Sequence, residues 1–293
     1  MRSLLFVPAD SPRKIEKALG SGADAIILDL EDSVALDNKP SARETVARLL
    51  PGLSADERAD LPRLYVRVNA FDTGLTETDL DAAMAGAPDG IMLPKACGGR
   101  DVQSLSALIA AREASDIRGR TRILAIATEH ARGVLALADY DSAGERLEGL
   151  AWGAEDLSAD LGAQAIREAD NRYTEPFRVA RTGTLFAAVA AGVIPIDGVY
   201  GNFRDDAGLR HECAEAARDG FTAKMAIHPA QVPAINEAFT PSGEAVARAR
   251  RIVDAFAQSG NAGVIGLDGE MLDRPHLTRA ERLLERARRY GLA

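Results

Sequence analysis

Several short apolar runs in this 293-residue chain stop at groups able to do chemistry. Asp29-Leu30-Glu31-Asp32 closes one run and Arg67-Val68-Asn69 the next. Pro94-Lys95, Thr128-Glu129-His130, Gly153-Ala154-Glu155-Asp156, Gly201-Asn202-Phe203-Arg204 and His228-Pro229 follow in turn. The ends are acidic on balance, with Arg67 and Lys95 set among the carboxylates. Carboxylates that converge raise one another's pKa unless a cation sits among them, so their convergence predicts a bound metal. Oxygen donors with no cysteine and few histidines favour Mg²⁺, which takes one or two carboxylates and fills its shell with water and substrate oxygens. Glu129 and Asp156, ending neighbouring runs, are the expected pair.

Each group also has a plainer use. Asp156 has the type and place of a helix N-cap for the short turn 157–161, and Glu129, closing a buried strand, needs a partner whatever its role. Glu31 and Asp32 suit equally the support of a metal shell and the pairing of a barrel arginine. His228, before Pro229, reads as a turn residue ahead of a catalyst, and His130 suits a site mouth and the surface alike. Lys95 has the position of a Schiff-base nucleophile in a metal-free aldolase. Such a lysine must be neutral to react, and a ring of carboxylates keeps it charged. It is therefore expected in an ion pair or on a phosphate.

The elements that must position these groups are legible in the spacing. Aliphatic runs fall at 4–7, 25–30, 64–68, 90–93, 123–127, 149–152, 196–200 and 223–227, apolar along most of their length as strands buried on both faces should be. Helix-forming segments follow each of them, at 11–19, 41–50, 77–85, 101–113, 131–139, 174–191, 209–218 and 230–239. Eight strand-then-helix units predict an α/β chain folded as a (β/α)8 TIM barrel, whose active site lies at the C-terminal strand ends. A doubly wound open sheet is the alternative, and no GxGxxG follows the first strand to support dinucleotide binding. Beyond Thr240-Pro241-Ser242-Gly243 the chain reads as a helix over 244–258, a mobile glycine-rich loop over 260–269 and a charged helix over 277–290. The expected organisation is thus a catalytic barrel over 1–240 and a C-terminal helical arm or lid over 241–293.

The balance of the composition narrows the partners. A formal charge of -9 disfavours nucleic acid and anionic membrane surfaces, and aromatic residues at 5% leave no stacking platform for single strands. No apolar run reaches the roughly 18 residues that cross a bilayer, and the opening segment is too short for a signal-peptide core. Cys97 and Cys213 form no CxxC or Cys/His pattern, so they read as reduced thiols of a cytoplasmic protein.

The segments LLFVPADSPRKIEKAL, ILDLEDSVALDNKPSAR, YVRVNAFDT, IMLPKA, ATEHARGV, LAWGAEDLSADLGA, YGNFRDDAGL, GFTAKMAIHPAQVPAINEAFTPS and DGEMLDRPHL together resemble the citrate lyase β-subunit-like branch of the HpcH/HpaI aldolase superfamily. The resemblance runs from about Arg2 to Leu277. IHPAQ and WGAEDL are close to signatures, whereas VRVN alone is weak. The family implies a (β/α)8 barrel, Mg²⁺ with Mn²⁺ as a substitute, and cleavage or formation of a carbon–carbon bond in a 3-hydroxyacyl thioester, as in citrate, malyl-CoA and citramalyl-CoA lyases. It implies that Glu129 and Asp156 hold the metal and that Arg67 binds substrate. It also implies that Asp273, on the arm of a neighbouring subunit, exchanges a proton with the enolate.

Two departures bear on the pocket: TEHARGV stands where IETARGV is common, so His130 replaces a small hydroxyl residue, and Asn202 stands where an acidic residue is frequent. Free-pyruvate aldolases of the wider superfamily use a histidine near the second strand. The four histidines here, His130, His211, His228 and His276, all lie elsewhere, which favours the thioester branch. The reaction expected is magnesium-dependent cleavage of a 3-hydroxyacyl-CoA such as (S)-citramalyl-CoA or malyl-CoA to acetyl-CoA and a 2-oxoacid. The alternatives are a thioester hydrolase and a citrate lyase β subunit acting on an acyl-carrier-protein thioester. Arg67 is expected to clamp a carboxylate or enolate oxygen through its planar fork, with Glu31, Asp32 and Lys95 as further substrate contacts. Arg13, Lys14 and Lys17 are candidates for the CoA phosphates, or equally a solvated helix face. Partners should be the CoA thioester, the 2-oxoacid and further copies of the chain as a trimer or hexamer.

Overall fold

Aliphatic and β-branched residues fill the strand positions because both faces of each strand are covered, one by the barrel interior and one by helices. The structure, a computed structural model, describes every residue except Leu53, Ser54, Asp116, Ile117, Asn261 and Ala293. Its strands β1 (Ser3–Pro8), β2 (Ala25–Asp29), β3 (Arg63–Arg67), β4 (Gly90–Leu93), β5 (Arg122–Ile126), β6 (Leu147–Ala151), β7 (Ile194–Asp197) and β8 (Ala223–Ala226) close in chain order into a parallel barrel, β8 pairing back on β1. Helices α1 (Pro12–Leu19), α2 (Lys39–Leu49), α3 (Ala55–Asp60), α4 (Thr76–Met84), α5 (Gly99–Ala110), α6 (Ala131–Leu135), α7 (Glu155–Leu161), α8 (Glu175–Ala190), α9 (Asp206–Asp219) and α10 (Val232–Phe239) fall between and after the strands. This is the (β/α)8 architecture expected from the spacing. Among the described residues no helix is long and apolar enough to cross a membrane.

Alternation along each strand fills the barrel. Leu4, Ile27, Tyr65, Met92, Leu124, Ile196 and Met225 form one buried cluster with their inward neighbours. The same two-residue period carries Asp29 on from Ile27 and Arg67 on from Tyr65, one layer nearer the C-terminal ends. Between strands and helices lies a buried charge cluster. The Lys224 ammonium, wholly buried, is 2.8 Å from both Asp197 and Glu212, while Arg181 and Arg167 pair with those two carboxylates from the other side.

The chain forms two compact units, Met1–Asn236 and Glu237–Ala293. In the second, α11 (Gly243–Gln258) and α12 (Arg274–Arg289) pack through Val246, Ile252, Phe256, Leu284 and Ala287. Between them the expected mobile loop is instead a hairpin, β9 (Val264–Leu267) paired antiparallel with β10 (Glu270–Asp273). Of that loop only Asn261 lies outside the described residues. Asp268 and Gly269 both have positive φ, the two-residue Asp-Gly turn whose twist suits a hairpin, so glycine here ends a strand rather than freeing a loop.

The helix expected over 131–139 is also interrupted. α6 stops at Leu135 and a 3-10 segment, Leu137–Ser142, follows. Its buried residues Leu137 and Tyr140, followed by buried Ala143 at its C-terminal end, recur every third position, the 3-10 period. This tighter coil turns the Tyr140 hydroxyl onto the Ala96 carbonyl and the Gly98 N–H, each at 3.3 Å.

Candidate active site

The parallel register of β2 and β3 places Asp29 directly opposite Arg67. Arg67 Nε and Nη2 each donate to an Asp29 carboxylate oxygen at 2.7 Å, a two-bond fork between buried groups. Burial works against the Asp29 charge, but this fork and the N–H groups of Glu31 and Ser33 outweigh it and hold the carboxyl below its ordinary range. Burial likewise works against the Arg67 charge, and Asp29, Glu31 and Glu129 more than restore it. The guanidinium lies over the Phe6 ring, 4.7 Å from its centroid. The expected clamp is therefore corrected in one respect: the side-on fork of Arg67 is taken by Asp29, and what remains is its outer edge. There Nη1 is 2.7 Å from Glu31 Oε2, out of line for a hydrogen bond.

Glu31 is buried and its carboxyl is pushed above the usual range, burial outweighing the two cations beside it. Lys39, unremarked in the sequence, pins this acidic turn by donating to the carbonyls of Leu30 at 2.8 Å and Glu31 at 3.0 Å. Asn69 does the same from the turn after β3, its side-chain amide donating to the Leu30 carbonyl and to Asp79. Asp32 is more open and lies 3.9 Å from Arg67 Nη1.

Lys95 joins the two sides of the mouth. Its ammonium is 2.5 Å from Glu31, 3.5 Å from Asp32 and 3.3 Å from Asp156. Burial lowers the lysine pKa, but Glu31, Glu129 and Asp156 raise it by more, so the ammonium stays charged as an ion-pair partner and not as a neutral nucleophile. Its backbone N–H donates to Glu129 Oε2 at 2.5 Å. Glu129 follows β5, where Gly133 lets α6 start close beneath it; a Cβ on Gly133 would stand 2.5 Å from the Ala127 carbonyl oxygen.

Gly153, after β6, lies against the Glu129 side chain so closely that a Cβ there would be 2.7 Å from Glu129 Cγ. Only 3% of Glu129 is exposed, and burial, helped by Glu31 and Asp156, pushes its carboxyl up to about 8 despite the Lys95 N–H. Asp156 is the second residue of α7. Ala154 holds the N-cap position with no side-chain cap, so Asp156 is turned to Lys95 and does not serve as a cap.

Among the described residues no three His, Cys, Asp or Glu side chains form a ready metal cage. A buried carboxylate with its proton held to about pH 8 beside a second, half-open carboxylate suits a hard ion that keeps several waters and takes only one or two protein oxygens.

His130 precedes α6 with Nδ1 3.7 Å from Asp160, and His228 is the turn residue, accepting from the Ala230 N–H and stacking on Phe203 at 4.6 Å. Asn202 accepts from the Arg204 N–H at 3.3 Å. Arg13, Lys14 and Lys17 are exposed on α1, which leaves β1 at the mouth end of the barrel, Arg13 and Lys17 one turn apart on one face. Asp273 belongs to the second unit, as the last residue of β10 and the N-cap of α12. Its hydrogen bond with the His276 ring holds its carboxyl below the ordinary range. Phe6 and Lys39 carry no signal of their own in the sequence, and Asp29, legible there as part of an acidic strand end, carries none of its pairing with Arg67.

The model of the HpcH/HpaI aldolase/citrate lyase family matches residues 2–229, and that of the carbon–carbon bond lyases of the TIM-barrel fold matches 177–292. The citrate lyase subunit beta-like protein of Mycobacterium tuberculosis is 37% identical over 283 residues, 97% of this chain and 94% of that one. The L-malyl-CoA/beta-methylmalyl-CoA lyase of Rhodobacter capsulatus is 33% identical over 98% of this chain and 94% of its own. Among solved structures, the CitE protein of Mycobacterium tuberculosis in complex with magnesium, acetoacetate and coenzyme A superposes with a TM-score of 0.79 at 36% identity, over 98% of this chain and 97% of that one.

Proposed function

The chain belongs to the HpcH/HpaI aldolase/citrate lyase family and is a carbon–carbon lyase, and from that premise we propose that it cleaves or forms a 3-hydroxyacyl-CoA of the malyl-CoA or citramalyl-CoA type, with Mg²⁺ held by Glu129 and Asp156. The observation that supports this most is the Glu129 carboxyl, pushed up to about 8 by its burial and by the neighbouring carboxylates of Glu31 and Asp156. The relatives' bound magnesium, coenzyme A and acetoacetate are the ligands such a centre would take.

Bound there, the metal supplies Lewis acidity to the hydroxyl and carboxylate oxygens of the substrate. The protein's own groups supply the rest. Arg67, held rigid by Asp29 and Phe6, offers its outer edge as fixed positive charge where the thioester enolate develops negative charge. Loss of the hydroxyl proton to a base, with the bond between the hydroxyl-bearing carbon and the thioester's α-carbon breaking as the carbonyl forms, leaves a 2-oxoacid and that enolate, which takes up a proton to become acetyl-CoA. In the condensing direction an ionised carboxylate must remove that proton. Asp273, held ionised by His276, has the right form for it. Asp273 reaches the mouth of a neighbouring copy in this reading, and Arg13, Lys14 and Lys17 meet the CoA phosphates.

The test is to incubate the protein with Mg²⁺, acetyl-CoA and glyoxylate, pyruvate or oxaloacetate in turn and follow the acyl-CoA by mass. One 2-oxoacid should add to acetyl-CoA, and EDTA, Glu129→Ala or Asp156→Ala should stop it. Release of free CoA without condensation would make the chain a thioester hydrolase. Turnover confined to acyl-carrier-protein thioesters would make it a citrate lyase β subunit.

A further inference from the structure

Among the described residues, Lys95 is the one whose main chain and side chain both reach the candidate metal carboxylates, through its N–H to Glu129 and its ammonium to Asp156. Its backbone is in the left-handed region, φ 52, where a side chain is disfavoured and glycine is at ease. The N–H contact to Glu129 needs no side chain and would survive with glycine. The chain keeps lysine there at a cost in strain, which points to a use for the ammonium. That ammonium is half-buried and spans Glu31, Asp32 and Asp156, while Arg67, the other cation of the mouth, is committed to Asp29. Among the described groups, Lys95 is thus the cation that faces Asp156.

We propose that Lys95 is a built-in counter-cation of the metal site: it holds Asp156 and Glu31 in place while the site is metal-free, and it competes with the incoming ion for Asp156. The inference rests on the metal role proposed for Glu129 and Asp156. Two opposite effects follow from the two halves of the residue. The N–H pre-orients Glu129 and favours metal, whereas the ammonium beside Asp156 opposes it. Metal affinity in the free enzyme is therefore set below what the carboxylates alone would give. Substrate oxygens, which add ligands and negative charge, then become part of what retains the ion.

Mn²⁺ binding to the full-length protein without substrate, followed by electron paramagnetic resonance, separates these effects. The ammonium is 3.3 Å from Asp156 Oδ1, and a metal–oxygen bond adds about 2.1 Å. One unit charge at that reach from a divalent ion, at a water-like dielectric, changes affinity about tenfold. Lys95→Met, and Lys95→Gly with the strain also relieved, should bind Mn²⁺ about tenfold more tightly than the parent, with Lys95→Arg close to the parent. Thermal melts of each variant establish that it is folded; a folded glycine variant alone suffices for the comparison. Unchanged or weaker binding in the folded neutral variants would overturn the proposal, and a merely structural lysine gives that result. Glu129→Gln and Asp156→Asn run in the same titration keep the two readings apart. If both abolish binding, the metal site stands whatever Lys95 does; if neither matters, the site and the proposal fall together.

Discussion

Metal uptake should release a proton below about pH 8, and the source is Glu129. In the metal-free protein burial and the facing carboxylates Glu31 and Asp156 raise its carboxyl from 4.5 to about 8, so at neutral pH it is mostly protonated. An ion that binds the carboxylate must displace that proton. Apparent affinity should then rise about tenfold per pH unit up to pH 8 and level off above it, roughly hundredfold weaker at pH 6 than on the plateau.

The same shift has a stability consequence of defined sign. Because the folded-state value lies above the unfolded one, Glu129 favours the fold fully below about 4.5, and that contribution is lost as pH rises through about 8. The gap of roughly 3.5 units corresponds to about 5 kcal/mol. Glu129→Gln removes the titration, so the stability of the parent relative to this variant, from urea melts in EDTA, should fall by several kcal/mol between pH 5 and pH 9. Calorimetry of Mg²⁺ binding in two buffers of different ionisation enthalpy should count close to one proton released at pH 6 to 7 and none at pH 9. A flat stability difference, together with no proton release at pH 6.5, would show that the Glu129 carboxyl is already ionised and refute the reasoning.

Further consequences can be checked independently. Gly153→Ala places a methyl 2.7 Å from Glu129 Cγ, so it should displace the carboxylate, cost about 1–3 kcal/mol in denaturant melts and weaken Mn²⁺ binding at least tenfold; unaltered binding would mean that Glu129 has another place to go. Lys224→Met removes the wholly buried cation shared by Asp197 and Glu212 and leaves each to its arginine alone, and should lose about 3–5 kcal/mol of stability while the folded remainder keeps its catalytic rate. Asp273→Asn and Glu129→Ala proteins should each be inactive alone and should recover activity when dissociated and reassembled together. A mixture that stays dead would place the Asp273 arm on its own barrel.

The eight strands are readable from the chain because their determinants are local: aliphatic runs buried on both faces, each followed by helix formers, admit few folds. The polar residues ending those runs follow from the same reasoning. Arg67, Glu31, Asp32, Lys95, Glu129 and Asp156 do come together, because a closed barrel leaves their strand ends only one mouth to share. The resemblance to a known family added Asp273 and the thioester chemistry, which no local pattern carries. Two of the departures from the expected elements also have local causes: Asp268-Gly269 makes a hairpin by its residue types, and the third-position repeat of Leu137, Tyr140 and Ala143 accompanies the break after α6.

Other features have no local signal. That Arg67 spends its fork on Asp29 depends on the register between two strands whose partners lie 38 positions apart, and only closure of the whole barrel sets that register. That Asp156 faces Lys95 instead of capping α7 depends on where β4 and β6 end relative to each other. The proton on Glu129 is the clearest case. A glutamate's ordinary pKa comes with its residue type, but its value here comes from its burial and from the charges of Glu31 and Asp156 around it. Residue type and spacing thus determined which groups reach the mouth. Burial and long-range register, which exist only once the chain has closed, decided which of them stay charged, which are already paired and which remain free to act.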